Sequence, residues 1–240
     1  IILAKNQVLR RISLDTEEHE YLRLVQYIDS SRSFTAVAID PVNARIYYST
    51  VYSDENRRSI GSTIHSVGID GSNQRDLISD GLAEVEGLAL DVPNQLIYWA
   101  DKVMMHIEVA ALTCKCNLRG CLHKHCRRII ATSKDGKFEP RSIVAAFGYI
   151  FWTDIASCTI VRAHGSGGSN YELRRYTRGS GCPNKITLSD DGRRLFVIVR
   201  DRTSHIETYI EVIHNVVPEL SRGKNTQVEV YIRFSQHAFQ

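Results

Sequence analysis

Apolar residues in this chain come in short runs, each closed by a polar turn, and the same order of runs returns several times. Four stretches show it most clearly: Ala36–Tyr48, Gly87–Trp99, Ser142–Trp152 and Lys185–Val197. Each reads as a strand of small and apolar residues, a tight turn, then an aromatic strand. The turns at Pro41–Ala44, Pro93–Gln95 and Asp190–Gly192 carry the Pro, Asn, Asp and Gly that turns favour. A weaker copy, Ile2–Ala4, opens the chain. Behind each aromatic strand the pattern predicts a third strand, at Leu9–Asp15, Ile64–Ser72, Ile107–Leu112, Ile160–Ala163 and Ile206–Ile210. A short outer strand follows, as at Arg75–Ile78, Arg128–Ala131 and Leu173–Tyr176.

Aligning Leu3, Tyr48, Trp99, Trp152 and Val197 gives intervals of 45, 51, 53 and 45 residues. Four short strands per repeat, at a period near the ~40–50 residues of a propeller blade, predict radial repetition. The first two strands of each repeat are apolar throughout, which suits sheets packed on both faces. A sandwich would alternate more cleanly and would not repeat. The expected fold is therefore all-β, a β-propeller with four-stranded blades, filling residues 1–240 as one domain. The blades are expected at 1–34, 35–84, 85–139, 140–182 and 183–240, with a cysteine-rich insertion at 113–127.

Composition narrows the function classes. The formal charge of +3 over 240 residues, without a long basic run, gives no support for nucleic-acid binding. No segment reaches the ~18 apolar residues of a membrane span. The chain opens Ile-Ile-Leu without Met, and the expectation is a processed or excised segment whose signal peptide or anchor lies outside it. The six cysteines lean towards an oxidising compartment, although zinc also uses such clusters. No Asn-x-Ser/Thr acceptor adds to that argument.

Several of these residues carry a family resemblance. Tyr98-Trp-Ala-Asp101 and Phe151-Trp-Thr-Asp154 resemble the Tyr-Trp-Thr-Asp signature of LDL-receptor class B propellers. Val85–Asp91 and Ile69–Asn73 resemble the strand and turn that accompany it, and Ile2–Asn6 resembles the start of a first blade. Tyr47–Thr50 matches more loosely, and Phe196–Val199 has lost the motif. The resemblance implies an architectural role for Tyr98, Trp99, Asp101, Trp152 and Asp154, with each Asp organising neighbouring backbone. It also implies six blades where the repeats show five, so the expectation is a chain cut before its last blade.

Alternation of strand direction sorts the loops onto two faces. The start of each innermost strand places Thr35, Glu86, Arg141 and Asn184 at equivalent positions. The resemblance implies that this face, around the channel mouth, binds extended peptides or partner domains. These four are the leading candidate site. The competing reading is that they satisfy backbone groups or pair with one another, as Glu86 and Arg141 could. Asn184 follows Pro183 as in the Pro-Asn-Gly of the family, but Lys185 replaces the Gly.

A second candidate is the long connection of the second blade. From Tyr48 to Ile64 is 16 residues, against 8 from Trp99 to Ile107. The extra residues carry Tyr52, Arg57 and Arg58, residue types favoured in interface hot spots. A solvated insertion is the plainer reading and the preferred one. The third feature is the loop holding Cys114, Cys116, Cys121 and Cys126, together with His123 and His125. Two disulfides are preferred over a zinc site, because the spacing is Cys-x-Cys and no second half-site follows. Cys158 and Cys182 fall in loops of one face and are expected to pair, tying blade four to blade five.

No nucleophile elbow, His-Glu-x-x-His helix or phosphate loop is present, and Gly165–Ser169 falls where the repeat requires a turn. Neither an enzyme nor a cofactor is expected. The leading reading is an extracellular or cell-surface module of an LDL-receptor-related type, binding secreted or cell-surface protein ligands, with EGF-like modules beside it in the longer chain. The alternatives are a calcium-dependent lactonase, drawing on Glu86 and Asn184, and a structural basement-membrane module. A histidine pH switch is a weaker idea, since no pattern marks any one of the nine histidines.

Overall fold

The computed structural model describes residues 2–5, 7–12, 21–56, 58–113, 126–132, 136–177, 181–200, 208–220 and 226–234. These residues form strands and turns, with one turn of 3-10 helix at Pro218–Leu220. The strands of the first sheet are β1 (Ile2–Lys5), β2 (Val8–Ile12) and β3 (Tyr21–Gln26). The second holds β4 (Arg32–Asp40), β5 (Arg45–Ser53), β6 (Ser59–Gly68) and β7 (Arg75–Ile78). The third holds β8 (Val85–Asp91), β9 (Leu96–Asp101), β10 (His106–Ala111) and β11 (Arg127–Thr132). The fourth holds β12 (Pro140–Ala146), β13 (Tyr149–Asp154), β14 (Thr159–His164) and β15 (Tyr171–Arg175). The fifth holds β16 (Cys182–Leu188), β17 (Arg194–Arg200), β18 (Thr208–His214) and β19 (Gln227–Phe234).

Within every sheet the strands lie in chain order. Four sheets have four strands; among the described residues the first has three. The register identifies those three. The β2–β3 pair slips between Leu9 and Arg10, as β6–β7, β14–β15 and β18–β19 slip between their third and fourth strands. So β1, β2 and β3 correspond to strands two to four of the other sheets.

The chain divides into two compact units, Ile1–Met104 with Glu108–Ile129, and Met105–Ile107 with Ile130–Gln240. In the first unit, the core between the first and second sheets packs Leu9, Leu24 and Val25 against Ile46, Tyr48 and Val67. The core between the second and third sheets packs Tyr47, Ile64 and Ile78 against Leu88, Ile97 and Trp99. Neighbours Tyr47 and Tyr48 therefore enter different cores, which is why an apolar run without alternation forms a strand here. In the second unit, Phe151 and Ile160 pack against Ile186, Leu195, Val197 and Ile213. Trp99, Trp152, Tyr48, Tyr98 and Phe151 are the largest fully buried side chains. Burying each contributes about 2–3 kcal/mol.

One irregularity recurs in the first strands. Phe34 pairs Thr50 and Ala36 pairs Ser49, which leaves Thr35 as an extra residue in β4. Val85 pairs Asp101 and Gly87 pairs Ala100, leaving Glu86 extra in β8. The register of β12 shifts between Pro140 and Ile143, across Arg141 and Ser142, and that of β16 between Pro183 and Lys185, across Asn184. Each is a β-bulge, a device that re-aims one side chain without ending the strand. Lys185 follows its bulge without a left-handed backbone, so the glycine of the family pattern is not needed there.

Candidate functional site

The four residues chosen from the repeat alignment are thus the bulge residues of four successive first strands. Thr35 is half-buried; its hydroxyl donates to the Val85 carbonyl at 2.6 Å and lies 2.8 Å from Ser49 Oγ. Glu86 accepts from Lys102 Nζ at 2.7 Å, and the same ammonium lies 2.6 Å from Glu84. Burial works against that ammonium, but the two carboxylates outweigh it and hold the Lys102 pKa above its ordinary value. Arg141 donates through Nε and Nη2 to Glu139 Oε1, at 3.2 and 2.9 Å. The Asn184 carbonyl accepts from Thr153 Oγ1 at 3.4 Å. Glu86 pairs with Lys102 and Arg141 with Glu139, each a residue close by in its own unit.

The motif aspartates hold the segment just before each bulge. Asp101, fully buried, accepts from the amides of Ala83 (2.8 Å), Glu84 (3.1 Å), Val103 (3.2 Å) and Met104 (3.0 Å). It thereby fastens the start of β8 and the β9–β10 turn to one carboxylate. Asp154 accepts from the amides of Glu139 (3.0 Å) and Ala156 (3.1 Å). In the second sheet the same register position is Thr50, whose hydroxyl turns instead to His65 Nε2 at 2.8 Å. Trp99 lies under the Arg127 guanidinium, 5.1 Å from its ring centroid, and Trp152 meets Phe138 edge-on at 6.4 Å.

Sequence reasoning missed the hydroxyl one place before that carboxylate. Ser49 Oγ donates to the Val85 carbonyl at 3.3 Å, and Thr153 Oγ1 to the Asn184 carbonyl. Each is a second-strand hydroxyl reaching the first strand of the following sheet at its bulge. The signal was present as the third letter of Phe151-Trp-Thr-Asp154. Lys102 was missed as well, although it directly follows the motif Asp and faces Glu84 and Glu86 by register.

The long connection of the second sheet differs from the expected loop. Its extra residues lengthen the β5–β6 hairpin, with Tyr52 pairing Gly61 and Ser53 pairing Ser59. Tyr52 is a half-buried strand residue, and the Arg32 guanidinium lies 4.7 Å from its ring and 5.1 Å from that of Tyr27. Arg58 is exposed at the hairpin tip, where its amide donates to Asp54 Oδ1 at 2.7 Å. Arg57 lies outside the described residues, as do Cys114, Cys116 and Cys121. Cys126 is disulfide-bonded. Cys158 and Cys182 form a disulfide with Cα atoms 5.0 Å apart, joining the β13–β14 turn to the start of β16. Among the described residues, no group of three or more His, Cys, Asp or Glu side chains is placed to hold a metal ion. No helix among them is long and apolar enough to cross a membrane.

No family model matches the chain. The human protein named low-density lipoprotein receptor-related protein 4 is 30% identical over 91 residues, 38% of this chain and 4% of that protein. Nidogen of Drosophila melanogaster is 29% identical over 112 residues, 47% of this chain and 7% of nidogen. The matches therefore span only a small part of either relative. Among solved structures, a chain of a nidogen/laminin complex superposes with a TM-score of 0.66 at 18% identity, covering 99% of this chain and 93% of that one. Regucalcin from Agrobacterium tumefaciens, a calcium-binding protein, gives 0.65 at 12% identity over 98% and 72%. Five blade-like sheets in chain order and the likeness to solved propellers agree on the fold: the chain is an all-β propeller, and its matched segments are similar in sequence to a low-density lipoprotein receptor-related protein and to nidogen.

Proposed function

We propose that this chain is an extracellular, non-enzymatic propeller module that binds secreted or cell-surface proteins through the residues at its first-strand bulges, Thr35 and Glu86 in the first unit and Arg141 and Asn184 in the second. The observation that carries the reading is the coincidence of these positions with the bulges of four successive first strands. A bulge presents its residue without an opposite partner, so the position tolerates different side chains, and here it holds Thr, Glu, Arg and Asn. The matrix and receptor-related relatives support a protein ligand. Laminin, which nidogen accompanies in their solved complex, is the first partner to test. EGF-like modules beside this segment belong to the same reading.

Binding of the 240-residue chain to laminin and to a panel of secreted proteins, by surface plasmon resonance, tests it. Glu86→Gln and Arg141→Gln are expected to weaken a true partner about tenfold each, roughly 1.4 kcal/mol. A partner whose affinity ignores both changes would place the interface elsewhere. A calcium-dependent enzyme is the second reading, prompted by the fold likeness to regucalcin. Glu86 already carries a cation in Lys102, which disfavours calcium at that carboxylate. Calcium at micromolar levels raising thermal stability would favour the enzyme.

A further inference from the structure

The second sheet carries, at the end of its strands away from Thr35, two guanidinium groups that meet on one oxygen. Arg45, at the start of β5, donates through Nη2 to Ser66 Oγ at 2.9 Å and to the Asn73 carbonyl at 3.1 Å. Arg75, at the start of β7, donates through Nε to the same Ser66 Oγ at 3.3 Å. Ser66 is fully buried, Arg45 half-buried and Arg75 exposed. Register explains the convergence: Ser66 pairs both Tyr47 and Arg75, so the side chains of Arg45, Tyr47 and Arg75 share one face of the sheet.

Two cations within reach of one hydroxyl repel each other, and a neutral hydroxyl does not offset that. Among the described residues, neither guanidinium has a carboxylate within salt-bridge distance. Asp40 is the acidic group that acts on Tyr47 together with these arginines. Both of its oxygens are committed: Oδ1 to the amides of Val42 and Asn43, Oδ2 to Asn43 Nδ2. Asp76, next to Arg75 in β7, points to the opposite face, where it meets His65. Arg75 as a residue is exposed to solvent, and Nε is the nitrogen that meets Ser66. The guanidinium fork of Arg75 matches the spacing of two oxygens on a tetrahedral anion, and the positive charge of Arg45 beside it, whose Nε is buried without a hydrogen bond, adds to the attraction.

We propose that Arg45 and Arg75 form an anion site for a sulfate or phosphate group, with Arg75 as the exposed half of the clamp. The group is either free in solution or carried as an ester on a glycan. The site lies at the other end of the strands from Thr35, so it does not depend on the partner-binding residues proposed above.

Calorimetric titration of the 240-residue chain with inorganic sulfate, inorganic phosphate and a sulfated heparin-derived octasaccharide tests the site. Wild type is expected to bind at least one of the three. Arg75→Gln should weaken that binding at least about tenfold, and Arg75→Lys should fall between the two. Arg193→Gln, which removes one exposed charge elsewhere, should stay within about twofold of wild type. Binding of the octasaccharide alone identifies a sulfated glycan as the source, and equal binding of the inorganic ions identifies the free anion; both support the site. No binding of any of the three, or equal losses in Arg75→Gln and Arg193→Gln, overturns it. Arg75 is exposed on an outer strand, so a folded variant is expected, and an unchanged melting temperature verifies it.

Discussion

His65 and Asp76 lie 2.7 Å apart between β6 and β7, Nδ1 to Oδ1, with the imidazole buried and most of the carboxylate in water. The other ring nitrogen meets Thr50, and the ring stacks on Tyr48 with centroids 4.8 Å apart. Burial pushes the His65 pKa below its ordinary value, and the opposing pull of Asp76 does not restore it. The unfolded chain, with a histidine pKa near about 6.5, therefore takes up this proton before the folded chain does. Stability should fall as pH drops below about 6.5, until the folded pKa is passed. Chemical denaturation between about pH 7.5 and 5.5 should show a smaller loss in His65→Gln than in wild type. Equal slopes would mean that other groups govern the acid limb.

Asp101 holds four amides with one buried carboxylate, so Asp101→Ala should cost about 3 kcal/mol or more. Asp101→Asn keeps one acceptor oxygen and should recover part of that loss. Denaturant midpoints of the two variants provide the check, and equal midpoints for Asp101→Ala and wild type would remove the clamp role.

The Cys158–Cys182 bridge closes a stretch with a sequence separation of 24. By loop-closure entropy, the double replacement Cys158→Ala/Cys182→Ala should lower stability by about 3 kcal/mol. The paired variant isolates this bridge from the one at Cys126, which a reductant would also break. A loss below about 1 kcal/mol would indicate that the turn and the start of β16 are held by their packing instead.

Gly181, directly before that bridge, has φ +78°, and an added Cβ would lie 2.8 Å from the Arg200 carbonyl oxygen. That oxygen belongs to strand backbone and cannot swing aside. Gly168, with φ +122°, has open space where its Cβ would be. Gly181→Ala should therefore destabilise by at least about 2 kcal/mol, more than Gly168→Ala, which meets the backbone strain alone. Thermal melts of the pair decide it, and equal shifts would exclude the close approach as a cause.

The fold was legible because its second strands are buried on both faces, and residues such as Tyr98, Trp99, Phe151 and Trp152 mark them at near-regular intervals. Bulge positions were legible only as equivalent places in a repeat. Nothing in Thr35, Glu86, Arg141 or Asn184 announces an unpaired residue. The spacing from Tyr48 to Ile64 marks extra residues in the second sheet but not that Val51–Ser53 and Ser59–Ser62 pair, since backbone pairing needs no apolar side chains to continue. The Arg32 stack between Tyr27 and Tyr52, and the meeting of Arg45 with Arg75, depend on cross-strand register, which a single sequence does not specify. Lys102 could have been found, since pairing Val85 with Asp101 sets it beside Glu84.

The bulge at Thr35 also acts on the residues around it. Phe34 packs in the core with Tyr48, whereas Ala36 and Ala38 pack in the core with Tyr47, and Val37 returns to the side of Phe34. Residues two apart in an ordinary strand share a side, so Phe34 and Ala36 are out of phase. Thr35 works as a shift of reading frame: what counts as inside is redefined on either side of it. Deleting that one residue would leave the composition of β4 almost unchanged, yet would turn the side chains of Arg32–Phe34 over to the wrong neighbour.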